Sequence, residues 1–234
     1  TYNVDKLELK TDEGRGFGKA KFILKEGGTL GDLYTHADLK RDINGNVLVD
    51  NDGNVTAIDN AGDIKLGSVL PKANLAWNNS FSYKGVNVGF LLTARLGGIA
   101  YSATQAYLDL YGVSETSAAA RDAGGVWING RSRVNPQGFY SVVASQSGLP
   151  TYYTYSATNL RLQEARIGYN IPRRWLGNVC DVNVSLVGKN LWMIYCKAPF
   201  DPEAVATTNN YYQGIDYFMM PSTRNIGFNI KINF

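Results

Sequence analysis

Few residues in this chain could form a catalytic or metal-binding site. Asp201 and Glu203 flank Pro202, and a pair of carboxylates is what cleaves a glycosidic bond. Pro202 favours a rigid turn instead, with both acids solvated at the base of a loop. His36 is the only histidine, so a catalytic triad or a multi-histidine metal site lacks its residues. We therefore expect no enzyme activity.

Residues 41–63 are rich in Asn, Asp and Gly, a composition that also occurs in calcium-binding loops. Leu48, however, lies where that loop pattern places its first ligand. Asn44-Gly45 and Asp52-Gly53 are better explained as two tight turns on either side of a short strand, residues 47–49. The sequence thus predicts turns here, with no metal ion and no other cofactor.

Cys180 and Cys196 are the only cysteines. The strand pattern places them at opposite ends of one strand, about 50 Å apart if the strand is continuous. A disulfide needs Cα atoms within about 7 Å of each other. We therefore expect two free thiols and no redox pair.

The segment 97–157 combines aromatic rings with a few arginines. Such side chains can stack on sugars or grip peptides. The alternative is that the rings pack the segment on itself or form an interfacial belt. A long ordered segment usually has a function, which favours a binding role for the segment as a whole. Its rings and arginines include Tyr111, Trp127, Arg131, Arg133, Tyr140, Tyr152, Tyr153 and Tyr155.

The sequence pattern predicts that most of the chain folds into β-strands. Apolar and polar side chains alternate strictly in residues 226–234, which predicts a strand with one apolar and one polar face. At about 3.3 Å per residue, and tilted as barrel strands are, this strand matches the height of an outer-membrane apolar band. Phe234 at its end resembles the assembly signal of bacterial outer-membrane barrels. An edge strand of a soluble sandwich would show the same alternation.

The lengths of the connections also alternate along the chain. Short turns join the predicted strands in pairs, and the longer segments 39–72, 97–157 and 196–221 separate the pairs. Outer-membrane barrels sort their loops in this way, with short periplasmic turns and long extracellular loops. The predicted strands are 17–25, 29–38, 73–83, 86–96, 158–171, 179–195 and 226–234.

The strand 158–171 changes its alternation half-way along. Apolar residues before and after position 163 follow opposite phases. A β-bulge near Gln163 and Glu164 would restore a single apolar face. Arg161 and Arg166 would then point to the polar, inward face.

Composition excludes several other classes of protein. The chain has 234 residues, of which 18% are charged. It has no run approaching the roughly 18 apolar residues of a membrane helix. The net charge of +3 is too small and too scattered to indicate nucleic-acid binding. The chain begins at Thr1 with no visible signal peptide, so we expect a mature piece of a longer protein.

Eight stretches form a set whose order and spacing are specific. They are L-K-E-G-G-T-L-G-D-L-Y (24–34), R-D-I-N-G-N (41–46), F-S-Y-K-G (81–85), Y-G-V-S-E-T-S-A-A-A-R-D (111–122), N-L-R-L-Q-E-A-R-I-G-Y-N-I-P (159–172), G-K-N-L-W (188–192), F-D-P-E (200–203) and P-S-T-R-N-I-G-F-N-I-K-I-N-F (221–234). With them the chain resembles the C-terminal portion of a SusC/RagA-type TonB-dependent outer-membrane transporter of Bacteroidetes.

The resemblance implies an all-β fold, the C-terminal antiparallel strands of a transmembrane β-barrel of about 22 strands with long extracellular loops. About seven of these strands would lie in this chain, an odd number that also calls for a larger barrel. Residues 1–234 would all belong to the barrel, and the N-terminal plug would lie outside the chain. The implied location is the bacterial outer membrane, in contact with its lipid.

The implied activity is active import of a nutrient, an oligosaccharide or a peptide. Its partners would be a SusD-like surface lipoprotein that covers the barrel and the TonB complex, which acts through the plug. Two such transporter–lipoprotein pairs would form a dimer. Two other classes stay open from the residues alone: a soluble β-sandwich carbohydrate-binding module, and a passive porin that needs neither plug nor lid.

Site residues follow from the same resemblance. The expected contacts with substrate or with the lipoprotein lid are Trp127, Arg131, Tyr152, Tyr153, Tyr211 and Tyr212. The residues expected to face the lumen are Arg95, Arg161, Arg166 and Lys231, with inter-strand pairing inside the wall as the alternative role of each.

Overall fold

The computed structural model describes residues 16–145, 148–177, 179–206 and 212–233. The chain forms two compact units. One holds strands and helices and is called the mixed unit here; it consists of Thr1–Leu70, Gly98–Ser156 and Pro202–Met219. The other, called the sheet unit, consists of Pro71–Gly97, Ala157–Asp201 and Met220–Phe234.

The strands and helices are numbered in chain order. The strands are β1 (Gly16–Phe17), β2 (Ala20–Phe22), β3 (Asp32–Thr35), β4 (Asp38–Leu39), β5 (Ala57–Ile58), β6 (Ile64–Ser68), β7 (Ala73–Tyr83), β8 (Val86–Leu96), β9 (Ile99–Ser102), β10 (Val126–Ile128), β11 (Ser132–Val134), β12 (Thr154–Ser156), β13 (Asn159–Ile171), β14 (Asp181–Cys196), β15 (Ile215–Asp216) and β16 (Asn225–Asn233). The helices are α1 (Ala103–Leu110), α2 (Glu115–Asp122), α3 (Pro136–Val143) and α4 (Pro150–Tyr153).

Long strands build the sheet unit, in the antiparallel order β16-β14-β13-β8-β7. These are five of the predicted strands, with ends close to those expected. Lys84 and Gly85 join β7 to β8 with φ angles of 47° and 88°, the two positive values that a type I′ hairpin turn requires. Cys180 lies one residue before β14 and Cys196 ends it, so the length of the strand separates them as predicted.

The sheet has one apolar and one polar face, and its register aligns them across every strand. One row of paired residues is apolar: Phe81, Val88, Ile167, Leu186 and Phe228. The neighbouring row is polar or small: Ser82, Asn87, Gly168, Ser185 and Asn229. Phe81 is 59% exposed and Phe228 is 78% exposed. The apolar face therefore lies open rather than packed against the described part of the chain.

The β-bulge predicted near residues 163–164 is confirmed. β13 shifts its register at this point against both neighbouring strands. Leu162, before the shift, pairs with Leu92, whereas Ile167, after it, pairs with Val88. Both parts of β13 thus contribute to the same apolar face, because the extra residue reverses the alternation.

The mixed unit has its own buried core. Its larger sheets, β1-β2-β3-β6 and β12-β9-β15, share this core with α1, α3 and α4. The largest fully buried side chains include Leu33, Tyr101, Leu149 and Ile215. None of the helices in the described ranges is long and apolar enough to span a membrane.

The prediction of one strand over 17–25 was wrong, because a turn at Gly18 divides this stretch into the antiparallel β1 and β2. The predicted strand 29–38 is shortened to β3, and β2 and β3 both belong to this core. β3 is buried along its whole length, including Asp32. Asp32 accepts hydrogen bonds from Thr29 and, at 2.5 Å, from Lys65 Nζ. Burial acts to raise the pKa of Asp32, but these bonds outweigh it and hold the pKa below its ordinary value. A strand covered in this way is a core strand and presents no open apolar face.

The two turns predicted within residues 41–63 are confirmed. Asp42 Oδ1 accepts hydrogen bonds from the backbone N–H groups of Asn44 and Asn46, each at 2.8 Å. Asp50 repeats the arrangement in the second turn. The carboxylates therefore serve to close the turns, as aspartate commonly does.

Gly85→Ala should destabilise the hairpin between β7 and β8. The added Cβ would lie 3.1 Å from the Asn170 carbonyl oxygen, at a φ of 88° that alanine rarely adopts. We expect the free energy of unfolding, measured by denaturant titration of the full-length protein, to fall by about 1 kcal/mol or more. Lys84→Asn is the control, because asparagine tolerates a positive φ and should cost nothing. Equal losses in the two variants would contradict this role of Gly85.

Candidate functional site

A cavity of about 480 Å³ in the mixed unit, called the aromatic cavity here, collects rings from several elements. Trp127, Tyr152 and Tyr153 line it, and all three are among the predicted contact residues. Tyr140 and Tyr155 line it as well. These rings come from β10, α3, α4 and β12, so the segment 97–157 folds into short helices and strands around a cavity rather than into an irregular loop.

Short helices with capped N-termini position the cavity wall. The hydroxyl groups of Ser102 and Ser114 accept a hydrogen bond from the first turn of α1 and of α2, respectively. Asn135 does the same for α3, which carries Tyr140 into the cavity. Each cap satisfies N–H groups that the first helical turn leaves unpaired. α1 in turn supplies Asp109, near its C-terminal end.

Asp109 is the polar centre of this wall, and the sequence alone did not single it out. It is only 5% exposed. Its Oδ1 accepts hydrogen bonds from Thr116 Oγ1 at 2.8 Å, from Gln105 Nε2 at 2.9 Å, and from the Ser114 hydroxyl. Its Oδ2 accepts one from Tyr153 Oη at 3.0 Å. A buried carboxylate requires donors of this kind, since an unsatisfied one is costly to bury.

The negative charge of Asp109 acts on the tyrosines around it. Burial, followed by Asp109 and Tyr140, raises the pKa of Tyr155 to about 12. Burial and then Asp109 also raise the pKa of Tyr153 and of Tyr140. All three hydroxyl groups therefore stay protonated at physiological pH and can donate hydrogen bonds.

The β10–β11 hairpin places Trp127 at the rim of the aromatic cavity. Asn129, at a φ of 52°, donates through Nδ2 to the Val47 carbonyl oxygen at 2.8 Å and accepts from the Val47 N–H at 3.1 Å. Arg133 stacks on Trp127, with its guanidinium carbon 4.7 Å from the ring centroid. Trp127 is thus held in place but stays 57% exposed.

The other predicted contact residues do not line the aromatic cavity. Arg131 is exposed and lines an adjoining polar groove, of which Asn129 is also part. Tyr212 is 44% exposed and lies shortly before β15. Tyr211 and the predicted assembly residue Phe234 lie outside the described residues. The structure therefore brings together three of the six predicted contact residues.

The four residues predicted to face the lumen share the polar face of the sheet. Arg95, Arg161 and Arg166 lie there on β8 and β13, and Lys231 lies there on β16. Arg166 extends across Gly89, where a Cβ would come within 2.6 Å of its Nε. That this face borders a lumen stays a prediction.

Arg161 forms a buried ion pair with Asp201. Its Nη2 donates to Asp201 Oδ1 at 2.6 Å, and its Nη1 donates to Asn190 Oδ1 at 2.6 Å. The Ser222 hydroxyl donates to the other oxygen of Asp201. The side chain of Asp201 is only 10% exposed, so the expectation of a solvated acid was wrong. Asp201 anchors the loop that follows β14, because its charge is neutralised by a residue distant in sequence.

Comparison with curated proteins agrees with the motifs. No family model matches the chain. The TonB-dependent receptor P3 of Formosa agariphila is 24% identical over an alignment of 254 positions, gaps included, that covers 97% of this chain and 24% of that protein. The resemblance to a TonB-dependent receptor is thereby confirmed.

Solved structures of the RagAB peptide importer and transporter have a similar fold. The closed-closed state has a TM-score of 0.57 at 16% identity and is matched over 92% of this chain and 25% of its own. A second RagAB structure has a TM-score of 0.58 with the same coverage, and the open-open state has 0.55 over 97% of this chain. The predicted fold class, a mostly antiparallel β fold like that of these structures, is confirmed. The chain spans about a quarter of the length of these relatives.

Asp201→Asn should cost much more stability than Asp181→Asn. The first change breaks the buried pair with Arg161, for which a loss of about 3–5 kcal/mol in the free energy of unfolding is typical. Asp181 pairs with Arg173 at 2.9 Å, but both side chains are more than half exposed, so the expected loss is below about 1 kcal/mol. Denaturant titration of the full-length protein measures both. Similar losses would rule out Asp201 as a buried anchor.

Tyr153→Phe should destabilise the mixed unit by about 1–3 kcal/mol, because Asp109 Oδ2 loses its donor and stays buried. Tyr111→Phe is the matched control. Its side chain is 75% exposed, and the same loss of a hydroxyl should change stability by less than about 0.5 kcal/mol. Hydrogen-exchange protection of α1 and α3 measures the difference within this unit. A Tyr153→Phe variant with unchanged protection would contradict the role given to the Tyr153–Asp109 hydrogen bond.

Proposed function

We propose that this chain forms part of the wall and long loops of an outer-membrane transporter that actively imports a nutrient, an oligosaccharide or a peptide. One observation carries the proposal: an apolar face runs across every strand of the sheet unit and lies open. Its central row is Phe81, Val88, Ile167, Leu186 and Phe228. Exposed apolar surface of this extent suits the hydrocarbon of a bilayer, and the polar reverse side suits a water-filled lumen.

The lengths of the strands support a membrane-spanning role. β16 has 9 residues, β7 and β8 have 11 each, and β13 and β14 have 13 and 16. A tilted strand needs about 9–11 residues to cross the hydrocarbon core of a membrane. Every strand of the sheet is therefore long enough, and β13 and β14 are long enough to extend beyond it.

The alternatives fit these observations less well. A soluble β-sandwich buries the apolar face of each sheet against a second sheet, whereas Phe228 and Trp77 are 78% and 58% exposed. A passive porin needs no receptor function, whereas the relatives are named a TonB-dependent receptor and a peptide importer. Active import is the function that both the sheet and the comparisons favour.

In this proposal residues 1–234 are the C-terminal part of the barrel, and a plug from outside the chain fills its lumen. A SusD-like surface lipoprotein covers the barrel, the TonB complex supplies energy through the plug, and two such pairs form a dimer. The aromatic cavity holds substrate by stacking and hydrogen bonds, with no covalent chemistry. Arg95, Arg166 and Lys231 then border the path through the lumen.

Phe228→Lys and Asn229→Lys form a matched pair that tests the membrane assignment. The same charge is added at adjacent positions of β16, once on the apolar face and once on the polar face. On the lipid side a lysine costs about 2–4 kcal/mol near the bilayer midplane, whereas on the lumen side it is tolerated. Heat-resistant full-length protein in outer-membrane fractions should fall for Phe228→Lys only. Equal yields would argue that no lipid covers the apolar face.

Uptake in cells tests the import function with the same variants. Cells that express the full-length protein should take up labelled peptides or oligosaccharides from a mixture, and Asn229→Lys should retain this uptake. Collapse of the proton gradient should abolish it, because TonB-driven import consumes energy from the inner membrane. Uptake that persists without a gradient would favour a porin, and a full-length protein that is soluble without detergent would favour a binding module.

A further inference from the structure

We propose that the aromatic cavity selects a cationic group, an ammonium or guanidinium, so that the preferred cargo is a basic peptide. The inference rests on the proposed import function and narrows its substrate class. It follows from two features of the cavity taken together: one buried carboxylate with no lysine or arginine partner in the part of the chain that the structure describes, and a wall of tyrosine rings that lies beside it.

Among the described residues, the carboxylate of Asp109 accepts hydrogen bonds from uncharged groups only. Its donors are a glutamine amide and the hydroxyl groups of serine, threonine and tyrosine. Within the described ranges, no lysine or arginine lies within ion-pair distance of it; Arg121 reaches Ser117, at 3.4 Å, and not Asp109. Hydrogen bonds from neutral donors stabilise a carboxylate without cancelling its charge. The field of Asp109 therefore extends into the cavity that it lines.

The tyrosine rings extend the preference for a positive charge to the surface of the cavity. Tyr140, Tyr153 and Tyr155 line the cavity, and the charge of Asp109 contributes to the raised pKa of each. Each ring also presents a negative π face, which attracts a cation placed over it. Tyr140 and Tyr155 are partly exposed, so a ligand in the cavity can reach rings on which the charge of Asp109 acts.

Two other arginines close to the cavity already have partners. Arg41, which interacts with Tyr152, forms an ion pair with Asp38 at 2.9 Å and contributes little net charge. Arg133 lies on the ring of Trp127 at the rim. The ring of Trp127 is therefore already in contact with a cation. The tyrosines next to Asp109 are left to bind the cation of a ligand.

A basic side chain fits this site better than the other cargo classes. A lysine or arginine gains from both the rings and Asp109. A neutral sugar gains from stacking and hydrogen bonds alone, and an acidic peptide is repelled by Asp109 and by the π faces. A cavity of about 480 Å³ is large enough for one or two such side chains with their backbone.

Calorimetry on the full-length protein, purified from the outer membrane, tests whether it binds ligands with a cationic group more tightly than others. The probes are three peptides of equal length, one with lysines, one neutral and one with glutamates, together with a neutral glucose tetrasaccharide. The basic peptide should bind at least about tenfold more tightly than the neutral peptide and the sugar, and the acidic peptide should be the weakest. Equal or tighter binding of the neutral peptide, the acidic peptide or the sugar would overturn the proposal.

Asp109→Asn should remove most of this preference, because the amide keeps the shape of the side chain and loses its charge. Asp122→Asn is the matched control: it removes the same charge from an exposed position at the end of α2 and should leave the tenfold preference intact. Equal effects of the two changes would refute a local role of Asp109.

A second pair of variants tests the proposal if Asp109→Asn does not fold. Tyr140→Leu removes one ring from the cavity wall, whereas Tyr111→Leu removes a ring that is 75% exposed. Only Tyr140→Leu should weaken binding of the basic peptide, by about threefold or more. Unchanged binding in Tyr140→Leu would contradict the contribution of the rings.

Uptake by cells separates failure of this inference from failure of the proposed function. If energy-dependent uptake occurs with no preference for basic peptides, the selection is wrong and the import function stands. If the basic peptide binds tightly but no cargo enters the cells, the import function is wrong and the selective site stands.

Discussion

The alignment of one apolar face across neighbouring strands is the constraint on which the sheet unit depends. Side chains alternate with a period of two, so a slip of one residue in any strand would turn its apolar side chains to the polar side. The bulge at residues 163–164 compensates for the change of alternation half-way along β13. The register that results sets Phe81 and Phe228 at opposite edges of a single apolar row.

The mixed unit depends on a different interaction, the burial of one charge among neutral donors. Asp109 ties α1 to the start of α2 through Ser114 and Thr116, and to the end of α4 through Tyr153. The hydrogen bond from Tyr153 to Asp109 also orients one of the rings that line the aromatic cavity. The carboxylate of Asp109 therefore has two roles: it holds the elements of the wall together, and it gives the cavity its negative charge.

The sequence predicted the parts of the fold that follow from local patterns. Alternation revealed the five long strands, the bulge and the faces of Arg161 and Arg166, because a period of two needs no knowledge of distant residues. It missed the helices of the segment 97–157, which are too short to show a clear helical period, although serines and an asparagine at their N-termini were visible as caps. It missed Asp109 and misjudged Asp201, because their partners Tyr153 and Arg161 are remote in sequence.

The most direct test of the account is a cysteine scan of β16 in the full-length protein, embedded in lipid vesicles with Cys180 and Cys196 replaced by serine. Spin labels at residues 225–233 would be exposed in turn to oxygen, which partitions into lipid, and to a water-soluble nickel chelate. If the apolar face meets lipid, oxygen reaches the labels at Ile226, Phe228, Ile230 and Ile232, and the chelate reaches those between them. Access of the chelate to both sets of positions would contradict a lipid-facing sheet.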